Sequence, residues 1–153
     1  HTRSFHVTGL QTCALPIWLP LLRTPGVNFV SLQHGESETE IREINAHEGV
    51  RVVSWPQAMK NCDETAALIA ELDLVVCVCG TVVHLAGALG KQVCVLVASC
   101  PEWRYAGHGD RMPWYPQARL FRQAKLGDWG APLSAVQQML SVLAKKRAVA
   151  GDN

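Results

Sequence analysis

No stretch of this sequence approaches the roughly 20 consecutive apolar residues that a bilayer-spanning helix needs. Nor is there an excess of charge of either sign. The 14 Lys and Arg face 13 Asp and Glu, a formal net charge of +1. Without a basic surplus nothing holds the phosphates of a nucleic acid or an anionic membrane surface, so neither is expected as a main partner. Internal repeats and low-complexity tracts are absent. So are a Cys-x-x-Cys spacing and a second paired cysteine cluster, which argues against a zinc site. What remains is the composition of a soluble globular domain, 48% hydrophobic and 18% charged. At 153 residues it is one domain, large enough to bury a core.

The first 17 residues stand apart. The run VTGLQTCALPI closely resembles a translated sequencing-library adapter, with Leu10 as its one departure, and His1-Thr2-Arg3 fits the preceding adapter in the same frame. Residues 1–17 are therefore read as an adapter-like artefact and set aside from fold reasoning. The alternative is a genuine apolar N-terminus or a signal peptide, but the segment lacks a continuous apolar core of about 7–15 residues. On this reading the native sequence is residues 18–153, truncated at its N-terminus. Without Arg3 its charges balance, 13 basic against 13 acidic. Five cysteines remain: Cys62, Cys77, Cys79, Cys94 and Cys100. The number is odd, and Cys77, Cys79 and Cys94 lie in strand-like apolar runs. That pattern fits reduced core thiols in a reducing, cytoplasmic compartment better than a disulfide framework.

From Trp18 onward the pattern alternates. A helix end at 18–26 is stopped by Pro25-Gly26, and 27–33 reads as a strand. An acid-led helix follows at 36–49, then a short strand at 50–55. Residues 63–72 read as a helix with Asp63 as N-cap and Ala66, Ala67, Ile69 and Ala70 on its inner face. The run 73–79 is apolar without alternation, as a strand buried on both faces must be. A helix at 81–90 closes on Gly90, and 92–97 is a second doubly buried strand. After a long irregular loop at 98–118, a short strand at 119–123 leads to a helix at 131–146. That helix carries an apolar stripe of Leu133, Val136, Met139, Leu140 and Leu143, with Lys145 and Lys146 at its end and a frayed tail beyond. Strand–helix alternation at this spacing means a Rossmann-like parallel sheet with helices on both faces, whose ligands sit beyond the carboxyl ends of the strands.

Three places at that edge carry chemistry. At Cys79-Gly80-Thr81 a strand becomes a helix within two residues. Gly80 permits a sharp turn and close approach, and Thr81 is a good N-cap. The free first-turn amides of such a helix suit a diphosphate, although a capped helix without ligand fits the same residues. His84, one turn on, could reach a phosphate or simply brace the loop. A Cys79–His84 nucleophile pair has no third orienting group in view. The 98–118 loop sets Glu102, Arg104, His108, Asp110 and Arg111 among Trp103, Tyr105, Trp114 and Tyr115. This mixture suits sugar or nucleotide recognition, or a loop packed on its own aromatics. Gln33, Gly35 and Glu36 follow another strand, as a polar turn or a further contact.

Taken in order, FVSLQHGE (29–36), ETAALIAELDLVVCVCGTVVHLAGALGKQVCVLV (64–97), PEWRY (101–105) and PWYPQARLFRQ (113–123) resemble the C-terminal domain of heptosyltransferase-like glycosyltransferases of family 9, notably those attached to tetratricopeptide repeats. The resemblance implies one half of a GT-B fold, the half that binds a nucleotide-diphosphate sugar, in an inverting enzyme needing neither cofactor nor metal. It implies diphosphate contacts from Gly80, Thr81 and Val82, support from His84, and weaker contacts to base and sugar from Gln33, Glu36 and Arg104. Where the family commonly has an acidic or amide side chain at the junction, this chain has Cys79 and Gly80, so recognition there is expected to rest on backbone amides. The family's catalytic base belongs to the N-terminal half. No catalytic residue is therefore assigned here; the first strand of the domain is expected to be missing, and the fragment to be inactive alone. The alternative is a non-catalytic nucleotide-binding or scaffold module attached to helical repeats.

Overall fold

The computed structural model describes residues 5–8, 17–34 and 38–151; for residues 5–8 and 151 the backbone alone is described. Its centre follows from two strands with no polar side. β4 (Leu74–Val78) and β5 (Val93–Val97) are apolar throughout. Successive residues of a strand face opposite ways, so each strand feeds two cores. Leu74, Val76, Cys94 and Leu96 join one layer with Trp18, Phe29, Ile44, Val136 and Leu140. Val75, Cys77, Val93, Val95 and Val97 join the other with Ile69, Val83, Tyr105 and Leu120.

Around this pair lie β1 (Phe5–Thr8), β2 (Val27–Ser31), β3 (Val52–Ser54) and β6 (Ala118–Arg122), in the order β3-β2-β1-β4-β5-β6. Every pairing is parallel. The helices α1 (Leu19–Leu22), α2 (Glu38–Asn45) and α5 (Gly130–Gly151) serve the first layer, and α3 (Cys62–Glu71) and α4 (Thr81–Ala88) the second. This is the doubly wound sheet that the sequence pattern implies, and its order reverses between β1 and β4. Among the described residues no helix is long and apolar enough to cross a membrane.

The slot of the first strand, expected to be missing from the native sequence, is filled in the structure. Phe5–Thr8, within the segment set aside as adapter-like, pairs with Val27–Val30 on one side and with Leu74 and Val75 on the other. The physical reason lies in the neighbours. β2 and β4 each present an inner edge of backbone donors and acceptors, which an extended segment lying between them satisfies.

Three smaller expectations also change. The cap of α3 is Asn61, whose Oδ1 accepts from the Asp63 amide at 2.8 Å. The buried positions of α3 are Thr65 and Ile69, while Ala67 and Ala70 are exposed. Thr65 can enter the core because its hydroxyl is satisfied by the Ala58 and Asn61 carbonyls at 2.7 and 2.9 Å. Helix α5 does not fray after Lys146 but continues to Gly151, and Arg147 pairs with Asp73 at the start of β4.

Both sheet edges are managed locally. The Asn45 side chain exchanges two hydrogen bonds with the backbone of Val52 at 2.7 and 2.9 Å, clamping the short β3 to the end of α2. On the opposite side, residues 110–112 return antiparallel along β6, through Leu120 N–H to the Asp110 carbonyl at 2.8 Å and the Arg111–Arg119 bridge. An exposed parallel edge would otherwise invite pairing with another chain.

Candidate functional site

The strand-to-helix corner after β4 lies beside the point where strand order reverses, the place where doubly wound sheets leave a crevice at their carboxyl edge. Gly80 is the N-cap of α4, at φ 166° and ψ −174°. That is extended backbone open to any residue, so glycine is not needed there for a turn; what it contributes is the absence of a side chain. Thr81 is the first helical residue rather than the cap, and no side chain caps the helix. The Val83 amide turns back to the Gly80 carbonyl at 3.2 Å. The Gly80 amide donates to the phenolic oxygen of Tyr105 at 3.2 Å. Thr81 and Val82 therefore hold the first-turn amides that a helix cannot satisfy itself, at the positive end of its dipole. Val82, Val83 and Ala86 fix the helix by entering the core.

Tyr105 is, with Met112, one of two buried residues in the loop between β5 and β6. Its phenol titrates above its usual range, chiefly because of burial and secondarily through the nearby Cys79 thiol, so it acts as a neutral hydroxyl. Its own carbonyl is held by Arg122 at the end of β6. The same guanidinium reaches the carbonyls of Ala106 (3.1 Å), Gly109 (2.7 Å) and His108 (3.3 Å). Ala106, gripped from both sides, is the one described non-glycine residue with positive φ, at 53°. Such a conformation costs of the order of 1–3 kcal/mol and persists only where its surroundings impose it. Arg122 is that imposition.

His84 is half-buried, its ring edge-on to Tyr115 with centroids 5.8 Å apart. Tyr115 in turn lies against Gly87, where a Cβ would meet the ring at 2.4 Å. Gln117 donates to the Gly87 carbonyl at 2.7 Å. The second half of the long loop is thus packed on α4 through a glycine-sized gap, with His84 at the near end of that contact.

The remaining candidates are distributed along the same edge. Gln33 follows β2, which is two strands from β4 and hence about 10 Å away by ladder spacing. Its side-chain amide donates to Glu40 at 2.9 Å. Glu36 lies outside the described residues, as does Gly35. Arg104, beyond β5, is exposed, ion-paired with Glu102 at 2.7 Å and stacked over Trp103 at 5.1 Å. Trp103 meets the exposed Trp114 edge-on at 6.0 Å. The structure thus brings Gly80, Thr81, Val82 and His84 together and sets Gln33 and Arg104 on flanking strand ends. Cys79 is not armed as a nucleophile. Its thiol donates toward the Leu96 carbonyl at 3.8 Å. Burial pushes its pKa up, and a hydrogen bond with Tyr105 opposes that rise without cancelling it. Cys77 and Cys94 are buried, and Cys62 and Cys100 exposed, all as free thiols.

Sequence reasoning overlooked Arg122 and gave Tyr105 no role beyond its place among the loop aromatics. The only available signal was an arginine at the carboxyl end of the last strand followed by Gln123, which is buried and accepts from the Ser99 amide at 3.3 Å. Nothing in the spacing says that this guanidinium reaches back 13 to 17 residues into the loop.

No family model matches the sequence. Protein FlbA of Caulobacter vibrioides is 35% identical over 128 residues, covering 81% of this chain and 21% of FlbA. The chain thus spans about a fifth of that relative's length. Among solved structures, E. coli ADP-heptose lps heptosyltransferase II superposes with a TM-score of 0.69 at 15% identity, over 96% of this chain and 48% of that one. E. coli heptosyltransferase WaaC with ADP gives 0.64 at 16% identity, over 92% and 44%. The glycosyl transferase family 9 structure from Veillonella parvula gives 0.60 at 10% identity, over 97% and 47%. The chain therefore has the fold of one half of a GT-B-like glycosyltransferase, and spans under half the length of these structures.

Proposed function

We propose that the chain is the donor-binding half of an inverting, metal-independent glycosyltransferase of family 9, holding a nucleotide-diphosphate sugar at the corner between β4 and α4. The observation that carries this reading is the pair of first-turn amides, Thr81 and Val82, at the switch point of a sheet matching the heptosyltransferase half. One of those transferases was solved with ADP and with an ADP-sugar analogue, which makes ADP the first probe to try. The diphosphate would accept from the two amides, where the helix dipole favours negative charge. The Thr81 hydroxyl and the His84 ring are the side chains nearest in sequence to those amides that can add polar contacts. Gln33, Glu36 and Arg104 would contact base, ribose or sugar.

A transferase also needs a base to take the acceptor's proton. The described corner offers a neutral Tyr105 hydroxyl and a Cys79 thiol with a raised pKa, neither suited to that task, and a His84 ring already given to the donor phosphate. Catalysis is therefore assigned to the N-terminal half of a parent chain that also carries tetratricopeptide repeats, and the 153-residue chain alone should transfer no sugar. One observation favours a second reading, a nucleotide-binding scaffold without catalysis: Cys79 and Gly80 place no acidic or amide side chain at the corner.

Calorimetric titration of the chain with ADP, UDP and GDP tests the proposal. The donor-binding reading predicts one nucleotide preferred by about tenfold or more. Equal weak binding of all three favours the scaffold, and no binding of any contradicts both.

A further inference from the structure

Resting on the diphosphate reading above, we propose that Tyr105 is a positioning residue that aims the Thr81 and Val82 amides, with Arg122 as its anchor. Gly80 is held from both sides. Its N–H goes to Tyr105, and its C=O receives the Val83 amide. The peptide between Gly80 and Thr81 is planar and trans, so its C=O and N–H point in opposite directions. With the carbonyl drawn into the helix toward Val83, the Thr81 amide must point out of the helix, toward the crevice. That orientation depends on Gly80 keeping its extended conformation, and glycine has more freedom to leave it than any other residue. Its lack of a side chain leaves the hydrogen bond to Tyr105 as its external restraint among the described residues.

Tyr105 is suited to this. Its ring belongs to the core layer that holds Val82, Val83 and Ala86, so the hydroxyl meets the corner from a fixed base. Its backbone is tied to β6 by Arg122, which also holds the carbonyls of Ala106, His108 and Gly109. The bond spans 25 residues of sequence and links the loop after β5 to the end of β4. A loop that moved freely would carry this restraint away. Arg122 prevents that. The Gly80 amide is consequently part of the mounting and not a ligand contact.

Titration of the full chain with ADP and with adenosine tests this, using Tyr105→Phe and Arg122→Lys. Tyr105→Phe keeps the ring and removes the hydroxyl. ADP affinity should fall about five- to twentyfold while adenosine affinity stays within about twofold, so that the preference for the diphosphate shrinks. Arg122→Lys keeps the charge but loses the fork, and should shift the preference the same way by a smaller factor. An equal loss for ADP and adenosine would mean a merely structural role and overturn the inference. So would unchanged or tighter ADP binding by Tyr105→Phe, the latter because it would make the hydroxyl a competitor for a ligand amide. If the wild-type chain binds no ADP, the underlying reading fails and the inference with it. Should Tyr105→Phe not fold, the Arg122→Lys comparison decides.

Discussion

The ring of Tyr115 occupies the space that a side chain at Gly87 would fill: a Cβ built there lies 2.4 Å from the ring's Cγ. Gly87→Ala gains roughly 1 kcal/mol of helix propensity but forces a ring anchored by its own backbone to move, which costs about 1–3 kcal/mol. Net destabilisation of about 1–2 kcal/mol is expected in urea unfolding. Adding Tyr115→Ala should make the double variant more stable than the sum of the singles, because the clash is gone. Additive losses would mean that the two residues do not meet.

Arg122 holds four carbonyls of the 105–109 loop. Replacing it with Ala should cost about 1.5–3 kcal/mol and raise hydrogen exchange or proteolysis selectively in that loop. Ala106→Gly should do the opposite, stabilising the chain by up to about 1 kcal/mol, because glycine accepts a φ of 53° without strain. A destabilised Ala106→Gly would show that the conformation carries no strain.

Asn61 caps α3 through its side chain. Asn61→Ala should cost about 1 kcal/mol, and Asp63→Ala less, since Asp63 gives only its charge to the first turn. Thermal unfolding of the two variants decides between the two residues.

The buried thiols set the alkaline limit. Burial pushes Cys94 from 9.0 up to about 12, and raises Cys77 further, with the Cys94 and Cys79 thiols adding to the effect. The folded state therefore keeps protons that the unfolded chain releases. Their contribution is fully present below the unfolded value of about 9 and is lost as pH rises above it, by up to about 1.4 kcal/mol per pH unit for each thiol. Denaturation midpoints at pH 8 and 10 should differ accordingly, and Cys94→Ala should flatten the slope. Equal slopes would place the titration elsewhere.

How much of this was legible beforehand depended on range. The doubly apolar runs at 74–78 and 93–97 announce central parallel strands, because no half-exposed strand tolerates that composition. The corner at Gly80 was legible as a helix start, since an apolar strand stops and an apolar helix begins there. Its mounting was not legible. The Gly80–Tyr105 bond and the reach of Arg122 join residues that only tertiary packing makes neighbours. The α3 cap was misassigned by two residues because Asn61 and Asp63 are both competent caps, and propensity alone does not choose between them. The central strand was hidden for another reason: Phe5–Thr8 sits in a segment whose letters read as foreign. Deleting residues 1–8 exposes two inner edges and should cost several kcal/mol, on the order of 1 per lost hydrogen bond.

The central claim is that the β4–α4 corner binds a diphosphate through backbone amides. Its most direct test is a titration of the isotopically labelled chain with ADP, followed by the amide resonances. The account predicts that Thr81 and Val82 shift most and saturate together, while Gly80, already bonded to Tyr105, shifts less. Saturable shifts confined to another strand end, or none at millimolar ADP, would contradict it.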